Sequence, residues 1–276
     1  MNPIESTVLH GGEVVATRQT QLNAVYKKVS WRLLPFLLLC YFFAYLDRVN
    51  IGFAKLQMQQ ELGFSDAVYG MAAGIFFLGY VMFEIPSNLL LEKVGARKTI
   101  TRIMILWGIT SMAMLFVNSP VVFYVLRFML GVFEAGFAPG MIFFLTYWYS
   151  GERMARVMAI VMLAAPLGGM LGAPVSTHIM SVAHGAHGLS GWQWVFLIEG
   201  LPTVILGITT FFYLTDHPSQ AKWLNTSEKA LLAEEIQSHQ AASTHSGFGA
   251  VLKDPWVYFM AFAYFTLISG IYAVGF

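Results

Sequence analysis

The sequence predicts an all-α membrane protein: a six-helix bundle, a polar linker and the start of a second bundle. Three observations carry this. The chain is 57% hydrophobic and 15% aromatic, with only 11% charged residues and a mean hydropathy of +0.63, whereas a soluble domain carries about 25% charged residues. Apolar windows recur at about 20 residues, the length that crosses a hydrocarbon core of roughly 30 Å. Lysines and arginines gather in alternate connections between those windows.

Residues 1–30 are mostly polar and lack the apolar stretch and cleavage site of a signal peptide, which makes them a cytoplasmic tail. Six windows follow, at 33–53, 67–90, 98–117, 121–148, 156–179 and 192–214, so that 31–214 forms the bundle. Small residues in "GMAAG" (70–74) and "APLGGMLGAP" (165–174) suit close helix approach, and Pro139, Pro166 and Pro174 are expected to interrupt backbone bonding. Residues 215–253 form a linker in which Asn225 and Glu228 have the spacing of a capping box. The "NTS" at 225–227 spells a glycosylation sequon, but the charge pattern puts it in the cytoplasm. A seventh window opens at Pro255 and reaches Phe276 without a polar flank, so 254–276 is expected to be the start of a truncated second bundle.

Thirteen of the sixteen Lys and Arg residues fall on one side of these windows and only Lys55 on the other. The excess of basic residues on the cytoplasmic side of membrane proteins places the N-terminus in the cytoplasm. The expected setting is a cell membrane, crossed several times, of the bacterial inner-membrane kind. A net charge of +1 argues against a nucleic-acid partner. Cys40 stands alone in an apolar run and reads as a packing residue. His178, His184 and His187 read as a solvated loop, so neither a metal nor a cofactor is expected.

Arg48 and Arg127 lie inside windows, as do Asp47, Glu84, Glu134 and Glu199. Glu84 and Glu199 each precede a proline closely and read as structural, bonding backbone groups that the proline frees. The other four read differently. At 1.5 Å per residue, Asp47, Arg48 and Arg127 come to one depth, with Glu134 about 10 Å further toward the cytoplasm. A spacing of seven keeps Arg127 and Glu134 on one helix face. Two acids and two bases in one interior region can offset one another's burial. They also suit a cavity where arginines meet an anion and carboxylates take up protons. Tyr45 and Tyr80 can add hydroxyls to that cavity.

The segment "NLLLEKVGARK" (88–98) resembles the loop between the second and third helices of the major facilitator superfamily. Asn88 stands where a glycine is usual, and Glu92 replaces the commoner aspartate. "YLDRVNIGFA", "GYVMFEIPSNLLLEKVGARK", "LRFMLGVFEAGFAPG", "GWQWVFLIEGLP" and "DHPSQAKWL" together resemble the anion:cation symporter family, in its branch of tartrate-like and sugar-acid transporters. This resemblance implies proton-coupled import of a carboxylated organic anion by a monomeric carrier of twelve helices. It implies protonation at Asp47 and Glu134, the substrate carboxylate at Arg48, and Arg127 linking the acids to the site. It also implies a cytoplasmic latch made by Glu92, Lys93, Gly95, Arg97 and Lys98. An organic-anion exchanger or uniporter is the alternative within transport. A seven-helix retinal receptor is disfavoured because all six lysines after residue 50 lie in flanks or loops. An intramembrane enzyme is disfavoured because no histidine lies securely within a window.

Overall fold

The computed structural model describes residues 3–242 and 253–275. Its helices are α1 (Pro3–Leu62), α2 (Asp66–Val94), α3 (Ala96–Ala113), α4 (Pro120–Glu134), α5 (Phe137–Thr146), α6 (Gly151–Met162), α7 (Ala164–Ala183), α8 (Gly191–Tyr213), α9 (Thr226–Ala242) and α10 (Pro255–Gly275). Among the described residues, six helical segments, at 17–62, 66–94, 96–116, 120–146, 153–183 and 191–213, are long and apolar enough to cross a membrane. Large side chains such as Leu78, Val81 and Ile85 of α2 are exposed, as expected where lipid rather than water covers a surface.

Local chemistry sets the helix boundaries. The Ser65 hydroxyl accepts from the Val68 amide at 3.3 Å and opens α2. Ser119 does the same for α4, with Pro120 as the first helical residue, where its missing N–H costs nothing. Gly95 alone separates α2 from α3 at φ 95°, a conformation that favours glycine.

The fourth and fifth windows are each two helices, and the breaks are not at the prolines. The first falls at Ala135–Gly136, where Gly136 takes φ 87°. The second falls at Leu163. Pro139 and Pro166 instead occupy the first turn of the resumed helix, where no backbone donor is needed. Pro174 lies within α7.

Helices α3 and α8 pack together, as do α2 and α4, and α1 lies against α7 and α8. Glycines permit the closest of these approaches. A Cβ at Gly131 would collide with the Phe76 carbonyl oxygen, and one at Gly79 would lie 2.6 Å from that of Phe128. In contrast, a Cβ at Gly70 or Gly74 meets nothing within 4 Å. The "GMAAG" glycines are therefore not what brings these helices together. Trp107, Trp148, Phe137, Phe144 and Leu37 belong to the main core, which also buries Cys40.

The linker docks on the basic end of the bundle. Lys28 of α1 pairs with Glu228 of α9 at 2.9 Å, and Arg18 with Glu234 at 2.9 Å. Trp148 and Trp223 stack with centroids 5.6 Å apart, and Arg32 lies 5.2 Å over the Trp223 ring. Asn225 and Glu228 form a reciprocal capping box at 2.8 Å in both directions. The seventh window is helical as α10, and its large side chains from Trp256 to Leu267 are exposed.

Two outcomes are expected. Gly131→Ala overpacks the α2–α4 contact and lowers stability by ~1–3 kcal/mol, whereas Gly70→Ala leaves it unchanged or slightly raised; unfolding in detergent measures both. The Asn225 amide, and then Lys28, hold the Glu228 carboxyl below its ordinary range. A depressed carboxyl stabilises docking above its free pKa and loses that contribution as pH falls through its docked one. Acidification below about pH 4 should therefore loosen α9 from α1, read as faster amide exchange in α9; Glu228→Gln should show that faster exchange already at neutral pH.

Candidate functional site

Helix geometry sorts the charged stretch of α1 onto two faces. Successive residues of an α-helix point about 100° apart, so adjacent Asp47 and Arg48 serve different neighbours. Tyr41, Ala44, Tyr45 and Arg48, at steps of three and four, line one face of α1 and border a cleft with Tyr80, Glu134 and Phe137.

Within the cleft, Arg48 Nη2 donates to Glu134 Oε1 in a direct ion pair between α1 and α4. The Glu134 side chain is 4% exposed and that of Arg48 23%, so the guanidinium is the more accessible partner. The Arg48 guanidinium carbon lies 5.9 Å from the Tyr45 ring centroid and 5.6 Å from that of Tyr80, within the range of cation–π attraction. Glu134 ends α4 just before Gly136, where a Cβ would lie 2.5 Å from the Ser87 hydroxyl. The helix break thus aims the Glu134 carboxylate at α1 and starts α5 with Phe137, whose ring stacks on Tyr41 at 5.9 Å.

Arg127 is buried two turns away on α4. Its Nε donates to the Ala72 carbonyl at 3.4 Å, and its guanidinium lies 4.5 Å over Phe76. No carboxylate is within ion-pair distance of it among the described residues. Phe76 and Tyr80 have ring centroids 6.0 Å apart, so an aromatic pair, not a carboxylate, stands between Arg127 and Arg48.

Asp47 forms an ion pair with neither arginine. Its carboxylate is buried and accepts from Trp107 Nε1, from Ser111 Oγ and from Asn50 Nδ2 at 3.1 Å. Three donors can hold an ionised carboxylate without a cation. Sequence reasoning missed all three, together with Tyr41. The signal was present as spacing: Asn50 is three residues after Asp47, and Trp107 and Ser111 are four apart on α3.

Around the α2–α3 loop, the Arg97 amide donates to Asp216 Oδ1 at 2.7 Å and the Arg97 guanidinium lies 5.2 Å over Phe211. Gly95 leaves room for that contact, since a Cβ there would lie 3.1 Å from Asp216 Oδ2. Glu92, Lys93 and Lys98 are exposed. Of the five residues expected in the latch, only Gly95 and Arg97 meet the docked linker at Asp216.

The sequence pattern of the Major Facilitator Superfamily matches residues 37–276. The chain belongs to that superfamily. Among the similar curated proteins of this superfamily, one from Agrobacterium vitis bears the name of a tartrate transporter. It is 52% identical over 254 residues, covering 91% of this chain and 58% of that protein. The metabolite transport protein NicT of Pseudomonas putida is 48% identical over 257 residues, covering 92% of this chain and 59% of its own. The inner membrane transport protein RhmT of Escherichia coli is 40% identical over 253 residues, with coverages of 92% and 59%. The chain thus spans less than two thirds of the length of these relatives. A solved bacterial homologue of the human lysosomal transporter Spinster, inward-facing and unoccupied, superposes with a TM-score of 0.58 at 22% identity. That match covers 75% of this chain and 48% of the other, and it shows a likeness of fold alone.

The ion pair generates a stability prediction. Arg48→Ala leaves Glu134 buried without its cation, and Glu134→Ala leaves Arg48 without its carboxylate. The double variant should therefore destabilise the bundle by less than the sum of the two single variants. A double-mutant cycle in detergent should return a coupling of ~0.5–3 kcal/mol; a value near zero would mean that the two side chains do not depend on each other.

Proposed function

We propose that this chain is the first half of a carrier that imports a carboxylated organic anion together with protons, by alternating access. A sugar acid, tartrate or a related carboxylate is the expected cargo. The observation that carries this reading is the Arg48–Glu134 pair at a tyrosine-lined cleft. A substrate carboxylate offers Arg48 the same charge and the same kind of acceptor oxygen as Glu134 does. When the substrate takes Arg48, Glu134 is left buried without a cation, and it is stabilised by taking up a proton. Loss of that proton restores the pair and releases the anion. Substrate and proton would thereby be bound together through competition for one guanidinium.

Tyr45 and Tyr80 flank Arg48 and would position the anion. Arg127 would set the electrostatics of the acids through the low-dielectric interior, since no ion pair joins it to them. Asp47 would be the second protonation site. Glu92, Lys93, Gly95, Arg97 and Lys98 would form the latch on the cytoplasmic face. The names of the Agrobacterium and Escherichia relatives support an organic anion as cargo and a bacterial inner membrane as location.

In a full-length carrier containing this chain, Arg48→Ala should weaken anion binding about ten- to a hundredfold, as for the loss of a charge-assisted hydrogen bond worth ~1.5–3 kcal/mol. Glu134→Gln should retain counterflow of substrate, which requires only reorientation of the loaded carrier, and lose accumulation driven by a pH gradient. Gradient-driven accumulation at the unmodified rate in Glu134→Gln would instead favour an exchanger or uniporter.

A further inference from the structure

Glu199, in the middle of α8, is 2% exposed. Ser176 of α7 donates to its Oε1 at 2.7 Å, and its Oε2 has no hydrogen-bond partner among the described residues. Neither a lysine nor an arginine pairs with it there. An ionised carboxylate so placed would be a buried charge without a cation, with one bonded donor where Asp47 has three. Its burial cost would be far larger than one hydroxyl can offset.

The charged group that faces Glu199 is Asp47 of α1, and the amide that faces both acids is Asn50. Asn50 gives its Nδ2 to Asp47, while its buried Oδ1 has no partner. From α3, the groups at Asp47 are the neutral Trp107 and Ser111; from α7, the group at Glu199 is the neutral Ser176. On α8 itself the buried Thr203 lies one turn on. Arg48 is engaged on the other face of α1 by Glu134. Two facing acids without a cation between them cannot both be charged. The donors favour Glu199 as the neutral one: Asp47 has three and can be the anion, whereas Glu199 has the Ser176 hydroxyl and only shares the Asn50 amide, which is bonded to Asp47.

We propose that Glu199 holds a proton in this conformation and, with Asn50 and Asp47, forms a proton-binding site of its own, distinct from the Arg48–Glu134 pair. The two unpartnered atoms are then complementary, because a protonated Oε2 is a donor and Asn50 Oδ1 an acceptor. Glu199 is thereby a functional acid and not only a partner for backbone freed by Pro202. The site joins α1 to α7 and α8, while the Arg48–Glu134 pair joins α1 to α4. Charging it would load the contacts of α1 on the face opposite the substrate cleft. Its part in transport rests on the proton-coupled reading above; its protonation does not.

Infrared spectroscopy of this chain in lipid bilayers tests the site directly. At neutral pH the unmodified chain should show the carbonyl stretch of a neutral, buried carboxylic acid. Glu199→Gln should abolish that band, and Glu134→Gln should leave it in place. Ser176→Ala, which removes one hydrogen bond and leaves Glu199 intact, should shift the band to higher frequency, and this assigns it even if Glu199→Gln fails to fold. Absence of the band from the unmodified chain, its survival in Glu199→Gln, or its indifference to Ser176→Ala would each overturn the proposal. In the full-length carrier, Glu199→Gln should lower the number of protons moved per anion. If the band behaves as expected and no protons accompany the anion even in the unmodified carrier, the proton-coupled reading fails and the protonation of Glu199 stands.

Discussion

A charged group inside a bilayer must find a partner within the protein, and the pairing of Arg48 with Glu134 is where this bundle meets that demand most directly. The pair ties the first helix to the fourth. It depends on the break at Ala135–Gly136, which ends α4 at the carboxylate. That break depends in turn on Gly136, since its φ of 87° and the proximity of the Ser87 hydroxyl leave no room for a side chain. One electrostatic requirement therefore reaches back through the helix boundary to a glycine.

The remaining buried polar groups are handled in other ways. Asp47 is held by three neutral donors, Arg127 by a carbonyl and an aromatic face, and Glu199 by a single hydroxyl. These solutions differ in how easily they can be exchanged. The guanidinium of Arg48 is partly exposed, whereas Asp47 is enclosed on every side.

The basic end of the bundle is organised by the linker. Asp216 caps the start of α3 at Arg97, Trp223 stacks on Trp148, and α9 lies on the extension of α1 through Lys28 and Glu228. The connection after the sixth span is therefore part of the folded bundle. Several of these groups lie beyond the spans, where water and salt screen charges more strongly than in the membrane interior.

The sequence by itself determined the helices, the membrane and the identity of the intramembrane charges, because apolar length and the cost of buried charge are local properties of a chain. It also carried the capping box at Asn225 and Glu228, since both partners lie within one turn. Depth arithmetic brought Asp47, Arg48, Arg127 and Glu134 into one region, yet depth is only one coordinate. Which face of α1 meets which helix is set by the packing of the whole bundle. That packing sent Arg48 to Glu134, turned Asp47 toward Trp107 and Ser111, and placed Asn50 beside Glu199. Prolines marked the interrupted windows, but the breaks fell a few residues earlier, at Gly136 with its positive φ in one and at Leu163 in the other. A contact between residues 47 and 107, or 48 and 134, exists only once helices distant in sequence have packed, and no local pattern encodes that choice.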